Sequence, residues 1–182
     1  MVKKIFSTAV KQNSCLIFFI FATMKEYRIG SGYDVHALGE GLRLVLGGVE
    51  VPHEKGCIAH SDGDVLIHAL CDALLGAVAA GDIGLHFPDN DPQYRGVDSC
   101  VLLNRVCEIV RERGYEIGNA DCTIAMQRPK LRPYIDDMRR RLAEVMSIDA
   151  DCVSVKATTT ERLGFEGEER GVSATSVVLV YK

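Results

Sequence analysis

The sequence predicts an α+β fold, a single-domain two-layer sandwich in which a mixed β-sheet carries helices on one face. The chain has 182 residues, enough for one domain with a full core. Hydrophobic residues make up 47% of it and charged residues 25%, a composition typical of globular proteins. Stretches with strand character alternate with three stretches of helical periodicity, which is the pattern of helices layered against a sheet.

The first 24 residues differ in character from the rest. Lys3 and Lys4 precede an apolar run at 15–22, which is similar to the basic and apolar regions of a signal peptide. The run is too short to cross a bilayer as a helix, and no clear small-x-small cleavage site follows it. We therefore interpret residues 1–24 as an extension outside the fold, with a misassigned start codon as one explanation, and residues 25–182 as the domain. An export or plastid-type transit signal is the alternative.

Strands are predicted where β-branched and aromatic residues lie between turn residues. They cover residues 27–31, 42–46, 49–51, 120–126, 153–157 and 172–181. The second and third of these should form a hairpin around Gly47-Gly48.

Three helices are predicted at residues 62–80, 98–113 and 134–146. Ser61 or Asp62 is the expected N-cap of the first helix. The triple arginine 139–141 of the third helix is expected to be a solvated face. The second helix should point these apolar residues inward: Val101, Leu102, Val106, Ile109 and Val110.

A candidate metal site combines the first strand and the first helix. In an extended segment residues i and i+2 point to the same side, so Asp34 and His36 can offer a carboxylate and an imidazole to one ion. His68 would be the third ligand, and Asp64 and Asp72, one turn away on either side, would orient its ring. Two histidines and a carboxylate with an open fourth position form a catalytic zinc pattern. Taken alone, a single histidine is more often a structural residue.

Four loops could hold phosphate or substrate. His60 lies beside the free amides at the start of the first helix, which suit phosphate. Residues 81–92 are dense in Gly, Pro, Asp and Asn, which is typical of a surface loop or of a mobile lid. The basic segment 127–133 is either a helix entry or a phosphate site. Residues 158–161 offer three threonines and a glutamate to an anion, although Thr160 could instead cap a short helix.

The charge and the cysteines limit the possible partners and the compartment. The net charge is −4, but four lysines and no acid lie in residues 1–25, so the body carries −8. An acidic body argues against nucleic acid as a partner, and a phosphate substrate would need metal ions, amides and local Lys or Arg. Seven cysteines without a Cys-x-x-Cys motif suggest small core residues in a reducing compartment.

In their order along the chain, these motifs resemble the 2-C-methyl-D-erythritol 2,4-cyclodiphosphate synthase family of the non-mevalonate isoprenoid pathway. The resemblance extends from about Tyr27 to the C-terminus. It rests on residues 28–36, 59–64 with His68, 81–84, 87–89, 156–161 and 163–165.

The resemblance implies a cytoplasmic homotrimer with active sites between subunits and with no nucleic-acid or membrane partner. The substrate would be 4-diphosphocytidyl-2-C-methyl-D-erythritol 2-phosphate. Its 2-phosphate attacks the β-phosphorus, expels CMP and closes a cyclic diphosphate. Because water is not the nucleophile, such an enzyme is classed as a lyase.

By the same resemblance, Asp34, His36 and His68 hold one Zn²⁺ per subunit. Glu161 holds a Mg²⁺ or Mn²⁺ that bridges the α- and β-phosphates. His60 and Thr159 are the implied catalytic residues, which stabilise charge on the phosphates. Ser61 hydrogen-bonds the 2-phosphate.

Two further groups of substrate contacts are implied. A loop would close over the methylerythritol end, and its residues are Asp82, Ile83, Gly84, Phe87, Pro88, Asp89, Asn90 and Asp91. The cytidine pocket and the adjoining phosphate contacts would be Met126, Gln127, Arg128, Pro129, Lys130, Leu131, Arg132, Thr158, Thr159, Thr160, Glu161 and Phe165. Where many members carry an arginine that is associated with an anionic ligand on the trimer axis, this chain has Glu168, so that ligand is not carried over.

Two alternatives remain open. With the same metal site, the protein could be a zinc-dependent phosphoester hydrolase that uses zinc-bound hydroxide. It could also be a non-catalytic nucleotide-binding module with a structural metal, which would need a fourth ligand. His53 and His86 are the spare candidates, and both are expected to be exposed loop residues.

Overall fold

The computed structural model describes residues 25–182. The interpretation of residues 1–24 as an extension, and the alternative of a targeting signal, therefore lie outside the described residues. In the part of the chain that is described, no helix combines the length and the apolar character needed to cross a membrane.

A five-stranded mixed sheet forms one layer, with strand order β4-β1-β7-β5-β6. Its strands are β1 (Tyr27–Glu40), β4 (Lys55–Cys57), β5 (Glu116–Ala125), β6 (Val153–Thr158) and β7 (Gly171–Tyr181). Among the strands of residues 25–182, only β5 and β6 pair in parallel. A separate hairpin joins β2 (Val45–Leu46) to β3 (Val49–Glu50), as predicted around Gly47-Gly48.

Strand β1 continues well beyond its predicted end at residue 31. Strand β7 pairs with it as far as Ala37, and β4 pairs with it from Leu38 to Glu40. These partners come from distant parts of the chain, so the local sequence gave no sign of them. The added length keeps Asp34 and His36 in extended backbone.

In the described part of the chain, three long helices form the second layer. They are α1 (Val65–Ala77), α3 (Ser99–Glu112) and α4 (Ile135–Met146), close to the three predicted stretches. Two single-turn helices, α2 (Ile83–His86) and α5 (Gly164–Gly167), were not predicted. The mixed sheet with helices confirms the predicted fold class.

Some details of the helices differ from prediction. Asp64, and not Ser61 or Asp62, caps α1, because its carboxylate accepts the Ile67 N–H at 3.1 Å. Val101 is 58% exposed, while the other four inward positions predicted for α3 are buried. The arginines of α4 are not uniformly solvated.

One of those arginines holds the next strand in place. Arg139 donates to the carbonyls of Val153 and Ala150 at 2.8 and 3.0 Å. These two hydrogen bonds hold α4 against the start of β6, which explains why the Arg139 side chain is only 32% exposed.

The two faces of the sheet are different. Gly30 and Gly32 face α1, where an added Cβ would lie 1.8 and 2.0 Å from the carbonyl oxygens of Ala73 and Ala69. The core therefore lies between the sheet and the helices. The other face exposes large hydrophobic side chains, namely Tyr27, Ile29, Tyr33, Val35 and Val177.

The cysteines behave as expected within residues 25–182. All six that the structure describes are free thiols. Cys71, Cys107 and Cys122 are fully buried, and burial raises the pKa of the Cys107 thiol to about 12 and that of Cys122 to about 11. They are packing residues rather than nucleophiles.

Candidate active site

The predicted metal cluster forms where α1 crosses β1. The two glycines of β1 let the helix backbone approach closely, and this approach brings His68 to Asp34 and His36. The potential ligand atoms of these three residues all lie within 4.8 Å of one another. Asp34 Oδ2 lies 3.1 Å from His68 Nδ1 and 3.6 Å from His36 Nε2.

The free ring nitrogen of His36 supports a metal at this point. His36 Nδ1 lies 2.8 Å from the carbonyl oxygen of Val35, so the ring donates there. Its Nε2 is buried and has no hydrogen-bond partner. A buried nitrogen without a partner is costly unless something binds it, and a metal ion would do so. The N, N, O donor set is one that zinc accepts.

The electrostatics favour a charged carboxylate in the cluster. Burial opposes ionisation of Asp34, but its hydrogen bond to His68 and the charges of both histidines hold its pKa below the usual value. Burial also opposes protonation of His68, but the Asp34 hydrogen bond and the surrounding carboxylates raise its pKa. Asp34 is therefore ionised at neutral pH, as a metal ligand must be.

The carboxylates predicted to orient His68 have other roles. Asp64 is fully buried, and its carboxylate accepts the N–H groups of Gly47 and Gly48 at 2.9 and 2.6 Å in addition to its capping bond. Asp72 accepts the Ile83 N–H at 2.7 Å. Both carboxylates are thus engaged by backbone donors, and the prediction that they flank the ring of His68 was wrong.

Two serines contact His68 instead. Its Nε2 lies 3.1 Å from Ser99 Oγ and 3.2 Å from Ser61 Oγ. Sequence reasoning missed Ser99, which lies 31 residues further along the chain, at the start of α3. No local spacing indicated this contact.

Neither spare histidine joins the cluster. Both are half-buried, not exposed. The ring of His86 donates to the Ala80 carbonyl at 2.9 Å. Within residues 25–182 the cluster holds three protein ligands, which leaves a fourth coordination position free for another molecule.

A cavity of about 1020 Å³ lies at the carboxyl ends of the parallel strands β5 and β6. It brings together residues 126–132 with Thr158 and Thr159, most of the predicted cytidine pocket. It also includes His53 and Glu54, which sequence reasoning did not assign to it. Asp34, His36 and His68 do not line it.

Residues 159–161 form a compact turn next to this cavity. Thr159 Oγ1 donates to Glu161 Oε1 at 2.8 Å, and Glu161 is exposed with a left-handed φ of 54°. Thr160 Oγ1 donates to the Leu163 carbonyl at 2.6 Å, and α5 begins only at Gly164. Thr160 is therefore not a helix N-cap, which removes that alternative.

The remaining predicted site residues lie on separate loops. Asp82 caps α2 by accepting the Leu85 N–H at 2.9 Å, and Asp91 accepts the Gln93 N–H at 3.0 Å. His60 is exposed in the loop that precedes α1. Further predicted residues of loop 82–91 are all exposed or half-buried, namely Gly84, Phe87, Pro88, Asp89 and Asn90.

The turn that carries Glu168 is held by ion pairs and packing. Glu168 accepts from Arg170 Nε at 2.6 Å, so its charge is partnered within the turn. The ring of Phe165 packs against Gly171, where an added Cβ would lie 2.7 Å from it. Phe165 does not line the cavity, and its packing beside the cytidine pocket stays a prediction.

Comparison with known proteins shows the same domain elsewhere. The sequence profile of the YgbB family matches residues 27–181. A 2-C-methyl-D-erythritol 2,4-cyclodiphosphate synthase of Bacillus cereus is 57% identical over 156 residues, which is 86% of this chain and 99% of that protein.

Solved structures have the same fold. The bifunctional IspDF of Campylobacter jejuni matches with a TM-score of 0.84 at 42% identity, over 87% of this chain and 43% of that one. A CDP-bound 2C-methyl-D-erythritol-2,4-cyclodiphosphate synthase matches with a TM-score of 0.78 at 41% identity, over 84% of this chain and 99% of that one. The resemblance seen in the motifs is confirmed, and the chain belongs to the YgbB family.

Proposed function

We propose that this chain converts 4-diphosphocytidyl-2-C-methyl-D-erythritol 2-phosphate to 2-C-methyl-D-erythritol 2,4-cyclodiphosphate and CMP. The observation that carries the proposal is the open three-ligand cluster of Asp34, His36 and His68. It occurs in a domain that matches synthases of this name over nearly their whole length. Phosphoryl transfer asks a protein mainly to position the reacting groups and to stabilise charge.

Asp34, His36 and His68 would hold one Zn²⁺. The unpartnered Nε2 of His36 and the ionised Asp34 support this assignment. Bound there, the ion would act as a Lewis acid toward a phosphate oxygen. Glu161 would hold a Mg²⁺ or Mn²⁺, because an exposed carboxylate beside a phosphate suits a hard cation.

The chain's own donors would bind the phosphates. Ser61 Oγ accepts the Gly63 N–H at 3.2 Å, and its hydroxyl would donate to the 2-phosphate when Nε2 of His68, 3.2 Å away, carries its own hydrogen. His60 is exposed on the same loop, where it can reach an anion. Thr159 would turn its hydroxyl from Glu161 toward the diphosphate. Each of these groups stabilises charge that develops on phosphate oxygens.

The cytidine group would occupy the cavity of about 1020 Å³. Its size is ample for a nucleotide, and residues 126–132 offer backbone groups along one wall. Arg128, Lys130 and Arg132 supply positive charge at its edge. The solved relative with bound CDP supports a nucleotide as the occupant, since that protein has the same fold.

The active site would be completed by a second copy of the chain in a homotrimer. Two observations support this assembly. The sheet face opposite α1 exposes Tyr27, Ile29 and Tyr33, and apolar patches of this kind mark interfaces. Within residues 25–182 the metal cluster and the nucleotide cavity share no lining residue, which is compatible with a substrate held between the cluster of one chain and the cavity of another.

Phosphorus NMR of the purified chain tests the proposal. With the diphosphocytidyl substrate and Mg²⁺ we expect CMP and a cyclic diphosphate, and a zinc chelator should suppress both. A ring-opened product that carries ¹⁸O from labelled water would indicate the hydrolase instead. Intact substrate in every sample, with one zinc per chain, would indicate a nucleotide-binding module.

A further inference from the structure

His68 presents one ring nitrogen to the metal cluster and the other to α3. Its Nδ1 faces Asp34 Oδ2, and its Nε2 lies 3.1 Å from Ser99 Oγ, which is fully buried, and 3.2 Å from Ser61 Oγ, which is only half-buried. A nitrogen that binds a metal must be free of hydrogen. If Nδ1 is the ligand atom, a neutral His68 must carry its hydrogen on Nε2, and that hydrogen needs a buried acceptor.

Ser99 is built to be that acceptor. Its hydroxyl donates to Asp62 Oδ1 at 2.5 Å, and its backbone N–H donates to Asp62 Oδ2 at 3.0 Å. The hydroxyl hydrogen is therefore committed, and only the lone pairs of Oγ remain to face His68. Ser99 is fully buried, so water does not compete for this position.

The bond between the Ser99 hydroxyl and Asp62 does not involve the backbone of α3. Asp98 already caps this helix by accepting the Cys100 N–H at 2.8 Å. Asp62 is fixed independently, since its N–H donates to the Val97 carbonyl at 3.1 Å. The carboxylate thus holds the Ser99 hydroxyl in one orientation, and that orientation serves His68.

We propose that Ser99, oriented by Asp62, is a positioning residue that fixes the tautomer and ring orientation of His68 for metal binding. This inference rests on the metal centre of the proposed function. A carboxylate and hydroxyl that act through a ligating histidine are an outer shell of the site, and loss of such a partner lowers metal affinity by roughly 10- to 100-fold.

Zinc affinity, measured on the full chain by competition with a chromophoric chelator, tests the inference. Ser99→Ala should weaken zinc binding by roughly 10- to 100-fold and shift the visible spectrum of the Co²⁺-loaded protein. Ser99→Thr keeps the hydroxyl and should restore both properties. Asp98→Ala is the matched control, because it removes a cap of the same helix without touching His68, and it should lower the melting temperature alone.

The outcomes separate the possibilities. Unchanged zinc affinity in folded Ser99→Ala would overturn the inference, as would an equal loss of affinity in Asp98→Ala. If Ser99→Ala does not fold, Asp62→Asn takes its place, and unchanged affinity there would overturn it as well. A wild-type chain that binds no zinc would refute the metal centre itself, whatever the variants do.

Discussion

Replacing Gly32 by alanine should disrupt both the packing of α1 on the sheet and the metal cluster. The added Cβ would lie 2.0 Å from the Ala69 carbonyl oxygen, whereas real Cβ contacts do not fall below 3.0 Å. Helix and strand must therefore separate by about 1 Å. Metal ligands tolerate errors of about 0.2 Å, so His68, one residue before Ala69, would leave the range in which it can share an ion with Asp34.

The energetic cost can be estimated from the same clash. Overpacking a core costs roughly 1–3 kcal/mol, and the upper end applies here because the obstructing atom belongs to rigid helix backbone. A domain of this size has about 5–15 kcal/mol of stability in total. We therefore expect Gly32→Ala to fold with a clearly lowered melting temperature and without stoichiometric zinc.

Gly76→Ala is the matched control. Gly76 lies in the same helix, is exposed and has no atom within 4 Å of an added Cβ. Alanine there should stabilise the helix by roughly 0.5–1 kcal/mol and leave zinc binding intact. Thermal unfolding and zinc analysis after gel filtration measure both effects. A Gly32→Ala variant with wild-type melting temperature and one tightly bound zinc would refute this account of the site.

Four further outcomes follow from the structure. His68→Ala should lose bound zinc and nearly all turnover while its circular dichroism stays native; an active, zinc-free variant would remove His68 from the ligand set. Glu161→Gln should raise the Mg²⁺ or Mn²⁺ concentration that half-maximal activity requires, and an unchanged requirement would exclude that role. Deletion of residues 1–23 should leave activity intact, whereas loss of folding would make the extension structural. Hydrogen bonds from Tyr115, Lys182 and Arg28 lower the pKa of Glu26 from 4.5 to about 2, so its contribution to stability is present above pH 4.5 and is lost as pH falls toward 2. The free energy of unfolding in urea should therefore be lower for Glu26→Gln than for the wild type at neutral pH, and the two values should converge in acid. A difference in this free energy that does not change with pH would contradict the prediction.

The metal cluster was accessible from sequence because simple periodicities determine it. Extended backbone places Asp34 and His36 on one side, and the apolar stripe of α1 fixes the direction of His68 relative to the core. Gly30 and Gly32 then allow the two elements to touch. Each of these signals lies within one short segment of the chain, so the sequence alone is enough to predict the cluster.

The surroundings of the cluster were not accessible in this way. Asp64 has the helical spacing of a carboxylate that orients His68. Its carboxylate instead accepts hydrogen bonds from backbone N–H groups of the β2–β3 turn, which is distant in sequence. Ser99 lies inside the predicted helix 98–113 without any sign of a site, and only the packing of α3 beside α1 brings it to His68. Val101 was assigned to the core from periodicity, but it is 58% exposed, and the buried face of α3 includes Ser99, Cys100 and Leu102 instead. Long-range contacts decided the cases of Asp64 and Ser99, and spacing along the chain does not report such contacts.

The two halves of the candidate site have opposite charge, and this bears on how it would work. Around His68 lie the carboxylates of Asp34, Asp62 and Asp64, which would repel a diphosphate unless a cation is bound there. The lining of the nucleotide cavity includes the basic residues Arg128, Lys130 and Arg132. Their positive charge attracts a diphosphate without a bound cation. In the proposed assembly, the cavity of one chain could therefore hold the nucleotide before any metal is present, and the metal of the other chain would act on the phosphate brought to it. Metal removal should then abolish turnover more completely than it weakens nucleotide binding.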